Sequence, residues 1–567
     1  MIQLQAIKEA SEQLHTAWEH YLQACSDLDN LIWQRETYYD PCRGFLQYID
    51  DELARLSRYE ENAQRAQRTL KRVRQCACYL APIHSLPSEI LLRIFYVLLA
   101  GPCSLGQLNY ETPVPQNQKP GPITQVCSRW RNIATSSPFL WTHVDIPLTQ
   151  PSAPRLLSRA KLHVQQSANL PLELHVYSAG DNNSQTGYTP VIQLLETVAG
   201  QARTLNFTLN YYDYAPFHLA ILPVFLSNCS IEIFNRLVTS SFPYSSSPYL
   251  LSELEDFDEV QESSSNGVSQ VEKYFSGLSA LDLKGCYPYW SSSAFHGLVD
   301  LRLAPSPDRH ARICTLHISE LIDILTASPG LRIFYFSLKV SDVETADSVT
   351  LPIPLKDLEV LNLSFTRRTP WSLPQKVGNI LRLLGPGSKA LRLTLDCEES
   401  SYELLDSADE LREFFMRSKV EKLCLRGVNH FSERMLSYTP DVKVLLLEGC
   451  APGKFEEVDA QTHNSYALYG SGHSTGFTLN ESDYDTLLIL PRLQSCYIRT
   501  SSTMDTTLHT LARLCPTGLL VDGKELTKVA TRRDTYIPFA EIPNHFPTVK
   551  FQSFPSMSAL TADWDVL

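Results

Sequence analysis

Fourteen cysteines and fifteen histidines are the side chains of this 567-residue chain best suited to nucleophilic or metal chemistry, and their spacing organises neither. No two cysteines stand in C-x-x-C spacing, and Cys76 and Cys78 are too close for a paired zinc knuckle. His463 and His473 fall in a Gly/Ser/Asn-rich stretch at a spacing unsuited to a rigid metal site. The chain has no P-loop, no G-x-G-x-x-G after a strand, no H-E-x-x-H and no EF-hand loop. Covalent thiol chemistry needs one activated cysteine, and nothing singles one out. The sequence therefore predicts a protein that is not an enzyme, with no catalytic residues, no metal and no cofactor. Its chemistry is binding.

Apolar surface is what the sequence does organise. Leu86-Pro87-Ser88-Glu89 puts proline where a helix start needs no N–H, and an acid in the first turn facing the positive end of the dipole. A helix begins near Pro87. Ile90, Leu91, Ile94, Phe95, Leu98 and Leu99 then mark an apolar face wider than one buried side requires, so the helix wants a second partner. Ile123, Val126, Cys127, Trp130, Arg131 and Ile133 predict a second amphipathic helix, and Ser137-Pro138-Phe139-Leu140-Trp141 a turn carrying large apolar groups. Such aromatic side chains dominate interface hot spots.

The order of these features, L-P-x-E-I with I-F after it, then V-C-x-x-W-R-x-I-A and S-P-x-L-W, resembles the F-box family over about 60 positions, roughly a tenth of the chain. The resemblance implies docking onto the Skp-type adaptor of a Skp/cullin/F-box ubiquitin ligase. Matched to the motif, the adaptor contacts would be Leu86, Pro87, Ile90, Ile94, Phe95, Val126, Cys127, Trp130, Leu140 and Trp141. A helix pair followed by P-I-H-x-L-P-x-E-I is similar to the F-box families of mushroom-forming (basidiomycete) fungi. One departure is a Pro/Gly/Gln-rich insertion over 100–122, longer than most members carry, which should loop out and bears on how the helices are placed.

Residues 1–80 read as a pair of helices. Leu4, Ile7, Ser11, Leu14, Trp18, Tyr21, Cys25, Leu28 and Ile32 alternate steps of three and four, and so do Leu56, Tyr59, Ala63, Ala66, Leu70, Val73, Ala77 and Leu80. Asp40-Pro41-Cys42-Arg43-Gly44 breaks the run, so the simplest arrangement is an antiparallel, coiled-coil-like hairpin burying both seams, with a homodimer or packing on the rest of the protein as alternatives. Arg65, Arg68, Lys71, Arg72 and Arg74 make the second helix basic on its outer faces, which is read as solvated surface.

After Ile146 the texture changes to short bursts of period-two apolar alternation, the mark of strands: 170–176, 203–209, 278–286, 298–304, 331–338, 358–365, 390–397, 420–427, 442–450 and 493–499. Their shared L-x-x-L-x-L shape resembles the leucine-rich repeat, with Cys286, Cys397 and Cys450 at or near its Asn/Cys position. Apolar helical stretches end at Ser328-Pro329-Gly330, Gly385-Pro386-Gly387 and Ser418 just ahead of strands. The expected class is α/β: helical hairpin, F-box helices, then a solenoid with parallel strands, the alternative being a doubly wound sheet.

The domains predicted are 1–80, a helical hairpin; 81–146, the F-box with its insertion; 147–555, a degenerate repeat array with flexible insertions at 238–272 and 451–482; and 556–567, a tail. Leu250, Leu251 and Leu254 could form one docked helix inside the first insertion, and 543–554 could close the array. If the array is a solenoid, Asp282, Lys284, Arg302, Asn362, Arg392, Thr394 and Lys422 are its concave contacts for a protein substrate. Their mixed charge names no ligand class. A net charge of -13 argues against a general nucleic-acid binder, and no run of 18 or more apolar residues predicts a membrane span. The charged start MIQLQAIKEASEQ does not read as a signal peptide, so cytoplasm or nucleus is expected and the five N-x-S/T sequons are chance matches. The expected function is a substrate receptor of such a ligase, whose partners are the Skp-type adaptor, through it a cullin, and an unidentified substrate. The alternative is a protein-interaction scaffold outside any ligase.

Overall fold

The computed structural model describes residues 2–33, 43–76, 82–99, 120–148, 153–178, 188–210, 213, 216–241, 248–250, 272–306, 314–341, 351–364, 377–396, 408–427, 438–448 and 492–499, with the short segments 504–505, 519–521, 528–530, 536–538, 549–551 and 561. It has two compact units, Met1–Leu91 and Leu92–Leu567, divided inside one helix. The insertion 451–482, His463, His473 and nearly all of the 100–122 insertion lie outside the described residues.

The first unit is two long helices, α1 (Ile2–Trp33) and α2 (Arg43–Cys76), a 3-10 turn at Pro82–Ser85, and the opening of α3 (Ser88–Leu99). Tyr21 donates its hydroxyl to Glu52 at 3.0 Å, and Trp18 stacks on Tyr21. A hairpin that buries both seams is not what is found. Among the described seam residues Leu4, Leu14, Leu70 and Val73 are 66%, 68%, 53% and 63% exposed, while Tyr21, Leu28 and Leu56 are half-buried.

The second unit carries α4 (Gly121–Val126), α5 (Ser128–Thr135), a 3-10 turn at Pro138–Trp141, and then a mixed α/β body. The sequence reads one helix over 123–133; the structure breaks it at Cys127, whose backbone is extended. The Cys127 sulfur then caps α5 by accepting from the Trp130 N–H at 3.5 Å.

The body is built on one large parallel sheet. Eleven strands run β1 (His143–Pro147), β2 (Leu172–Tyr177), β3 (Ala202–Leu209), β4 (Arg236–Ser241), β5 (Ala280–Lys284), β6 (Asp300–Ala304), β7 (Ile333–Phe336), β8 (Val360–Ser364), β9 (Ala390–Asp396), β10 (Lys419–Arg426) and β11 (Val444–Glu448), and β12 (Ser495–Arg499), β13 (Leu519–Val521) and β14 (Val549–Phe551) extend the sheet to fourteen. Their order in space is their order in the chain. A doubly wound sheet reverses direction at a switch point, and this one never does.

Alternation explains the core. Val144, Leu174, Leu205, Leu237, Leu281, Leu301, Phe334, Leu361, Leu393, Leu423 and Leu445 form one cross-strand ladder, all buried in a single hydrophobic core. Helices α7 (Thr189–Val198), α8 (Leu222–Asn228), α9 (Ile318–Ala327), α10 (Val377–Leu383) and α11 (Ala408–Arg417) supply the residues of the facing layer, among them Leu194, Phe225, Ile324, Leu381 and Phe414. Each buried leucine or phenylalanine is worth about 1.5–3 kcal/mol of transfer free energy. Thr239 breaks the apolar ladder of β4 without an orphaned hydroxyl: it donates to Cys286 O at 2.8 Å and accepts from Lys284 N at 3.0 Å. At the β1 edge, α6 (Ala153–Gln166) brings His163 edge-on to Trp141 at 5.1 Å and within 2.9 Å of the His143 carbonyl.

The expected 238–272 insertion begins too early. Residues 236–241 are β4, Leu250 is buried, and its N–H donates to Tyr287 O at 2.7 Å; Leu251 and Leu254 lie outside the described residues. The Gly385-Pro386-Gly387 stop lies at a short strand, Leu384–Pro386, paired in parallel with Ile353–Leu355 beside the main sheet. A Cβ at Gly387 would collide with the Lys356 carbonyl oxygen, which is backbone and cannot rotate away. Gly387→Ala is expected to destabilise the unit by about 1–3 kcal/mol in chemical denaturation. An unchanged midpoint would mean the two backbones can part freely.

Candidate protein-docking surfaces

Helix α3 places its side chains in two directions. Phe95 points inward and is fully buried against Trp130 of α5, ring centroids 4.8 Å apart. Trp141 is buried as well, and its indole N–H donates to Ala134 O at 2.8 Å, tying the 3-10 turn to α5. Outward, at i, i+3 and i+4, stand Ile94, Val97 and Leu98, which are 39%, 63% and 62% exposed. Val126 at the end of α4 and Phe139 in the turn are also exposed, and Tyr96 lies 5.9 Å from Phe139. Small helices with a filled interior thus keep a row of large aliphatic groups in water.

The ten residues that the sequence assigns to adaptor contact divide accordingly. Pro87, Ile90, Ile94 and Val126 are exposed; Leu86, Cys127 and Trp130 are half-buried; Phe95, Leu140 and Trp141 are buried. The last three hold the helices together and have no surface to offer. Tyr96, Val97 and Phe139 belong with the exposed group and are not in the contact set assigned from sequence, although Val97 continues the stripe of Ile90 and Ile94 along the helix.

The second surface is the sheet face opposite the core. Cross-strand register sets Asp145, His175, Asn206, Val238, Asp282, Arg302, Tyr335, Asn362, Thr394 and Cys424 in one row. Arg392 and Lys422 share a second row, and Lys284 a third. All seven residues proposed from sequence as concave contacts therefore fall on this one face, spread over β5, β6, β8, β9 and β10. Charges on it are largely answered within it. Arg302 bonds Asp300 through two nitrogens at 2.8 and 3.1 Å and lies 4.7 Å over the Tyr335 ring, Lys284 is 3.4 Å from Asp282, and Arg426 stands between Asp396 at 3.7 Å and Glu448 at 3.2 Å. Toward β11 the face turns apolar: Thr394 and Cys424 are buried, and Leu446 packs with Cys424, Val444 and Tyr497. A face of interleaved signs suits a polar protein surface better than a polyanion.

At the other end of this face lies a group with no sequence signal. His143 and Asp145 of β1 meet His175 of β2, the Asp145 Oδ1 sitting 3.0 Å from His143 Nε2 and 3.3 Å from His175 Nδ1. Burial alone would raise the Asp145 carboxyl, but hydrogen bonds from the two histidines overcome it and hold the group well below the usual carboxylate range. Periodicity places β2 but not its register, and only the register brings His175 opposite Asp145.

Three buried thiols among the described residues are held protonated. Burial pushes Cys229 up to about 11 and Cys314 and Cys424 to about 12, so each stays protonated. One string, Gly472-His473-Ser474-Thr475-Gly476, spells G-x-S-x-G, and it lies outside the described residues. No helix among the described residues is long and apolar enough to cross a membrane.

No protein-family model matches the chain, and no curated protein matches it.

Proposed function

We propose that this chain is the substrate-receptor subunit of a Skp/cullin/F-box ubiquitin ligase, its α3–α5 region gripping a Skp-type adaptor and its sheet face holding the target. The observation that carries the reading is the exposed row Ile94, Val97 and Leu98 on α3, with Val126 and Phe139 also exposed on the elements that follow, around an interior that Phe95, Leu140 and Trp141 already fill. A row of this kind is costly in water unless a partner covers it. Ile94 and Val126 belong to the motif that resembles the F-box, and Val97 and Leu98 extend its exposed face along α3. The strictly sequential parallel sheet supports the second half of the reading, a leucine-rich-repeat-like solenoid, since each repeat can bury its helix only against its neighbours. Such a receptor works by proximity, raising the effective concentration of target lysines without bond chemistry of its own.

Mixing the purified full chain with a purified Skp-type adaptor and passing the pair over a sizing column tests the first half. Co-elution as one stable complex is expected. Separate elution at micromolar concentrations would refute it. A second reading, an interaction scaffold outside any ligase, is favoured by the exposed apolar seams of α1 and α2; separate elution from the adaptor would leave it standing.

A further inference from the structure

Strand geometry brings together three side chains at the β1 end of the sheet face, apart from the seven contact residues on β5 to β10. His143 and Asp145 are two residues apart on β1 and so project to one face, and the parallel register sets His175 of β2 directly beside Asp145. One ligand atom from each residue lies within 4.8 Å of the other two. A divalent transition metal with bonds of about 2.0–2.1 Å in tetrahedral geometry needs ligand atoms roughly 3.3 Å apart. Two of the three pairs, His143 Nε2 with Asp145 Oδ1 at 3.0 Å and His175 Nδ1 with Asp145 Oδ1 at 3.3 Å, already meet that spacing.

The outer nitrogens are held as they are around metal-bound imidazoles. His175 Nε2 is 3.3 Å from the Thr208 hydroxyl of β3, and His143 Nδ1 is 3.7 Å from Glu173 Oε2 of β2. Each ring is thereby turned so that its other nitrogen faces Asp145. The recess is closed on one side and open on the other: the side chains of His175, Asp145 and His143 are 0%, 10% and 34% exposed. A metal ion can enter past His143 and keep a water ligand on that side.

We propose that His143 Nε2, Asp145 Oδ1 and His175 Nδ1 form a binding site for a divalent transition metal of the zinc class, which staples the edge strand β1 to β2 at the first rung of the sheet. Two imidazoles and one carboxylate suit zinc or cobalt over calcium or magnesium. Arg159 of α6 places positive charge near Asp145 and opposes the incoming ion, so affinity is set by the balance between them. The site stands or falls independently of adaptor docking, because none of its residues lies in α3–α5.

The test is metal titration of the full chain after dialysis against chelator, with Zn2+ read by calorimetry and Co2+ by its visible absorption. Because the chain holds other histidines and cysteines, the readout is the difference between the wild type and a His143→Gln/His175→Gln pair: one equivalent fewer, with loss of the zinc-induced rise in melting temperature. Should the pair fail to fold, His143→Gln alone is expected to weaken that equivalent at least tenfold, and Arg159→Gln to tighten it. Equal stoichiometry and affinity in wild type and variants, or no binding by the wild type, would overturn the site.

Discussion

Stability of the sheet unit is expected to fall by about 1.4 kcal/mol for each pH unit as pH drops from about 6.5 toward 3, reaching roughly 5 kcal/mol in all. The chief cause is His218, in the wide helical turn Phe217–Ile221 ahead of α8. It is fully buried among Phe207, Phe217 and Cys286, and burial pushes its imidazole down to about 3. A histidine whose folded value is depressed stays neutral in the native state while the unfolded chain takes up a proton below its ordinary value. Stability is therefore complete above about 6.5 and is lost as pH falls through the window. His163, also lowered by burial, acts in the same direction, and Asp145 adds a further loss below the ordinary carboxylate range. Denaturation midpoints measured from pH 7.5 to 4 should show the slope, and His218→Leu should flatten most of it. A parallel slope in that variant would assign the acid sensitivity elsewhere.

The second large effect concerns the exposed row on α3. Placing carboxylates at two adjacent positions of that row, Ile94→Asp with Val97→Asp, should weaken adaptor binding by at least about 100-fold, since interface anchors of this type cost roughly 2–4 kcal/mol when lost. Val97 is 63% and Ile94 39% exposed in the free chain, so the far-UV circular dichroism should keep its shape and the melting temperature should fall much less than on loss of a buried side chain. Phe95→Ala supplies the contrast. Phe95 is fully buried against Trp130, so its loss should destabilise the helices by about 3–5 kcal/mol and reduce adaptor binding only through unfolding. Equal adaptor affinity in wild type and the double aspartate variant would remove the row from the interface.

Ten strands of the large sheet are legible in the sequence because apolar residues, chiefly leucine, isoleucine, valine and phenylalanine, recur at alternate positions along them. Two that are not legible show why. In β4 the inward positions are Leu237 and Thr239, so the apolar signal is halved, and what replaces it is a hydroxyl satisfied by the chain around Cys286. In β1 the outward positions are His143 and Asp145 and the inward pair Val144 and Ile146 closes the F-box-like run, so five residues read as the end of one element instead of the start of another. The break at Cys127 is hidden for a different reason: apolar spacing continues across it while the backbone does not. The docking row was half legible. Helical spacing finds the apolar residues of α3, but whether Phe95 or Val97 faces outward depends on where α5 packs, which is tertiary information. The seams of α1 and α2 are legible as periodicity, and periodicity alone does not say that a partner within the chain will cover them.

Hydrogen exchange on the full chain, free and saturated with a Skp-type adaptor, tests the central reading most directly. New protection concentrated in 88–99 and 121–141, with the strands of the sheet unchanged, is the predicted result. No added protection in those segments, or protection confined to the sheet, would contradict it.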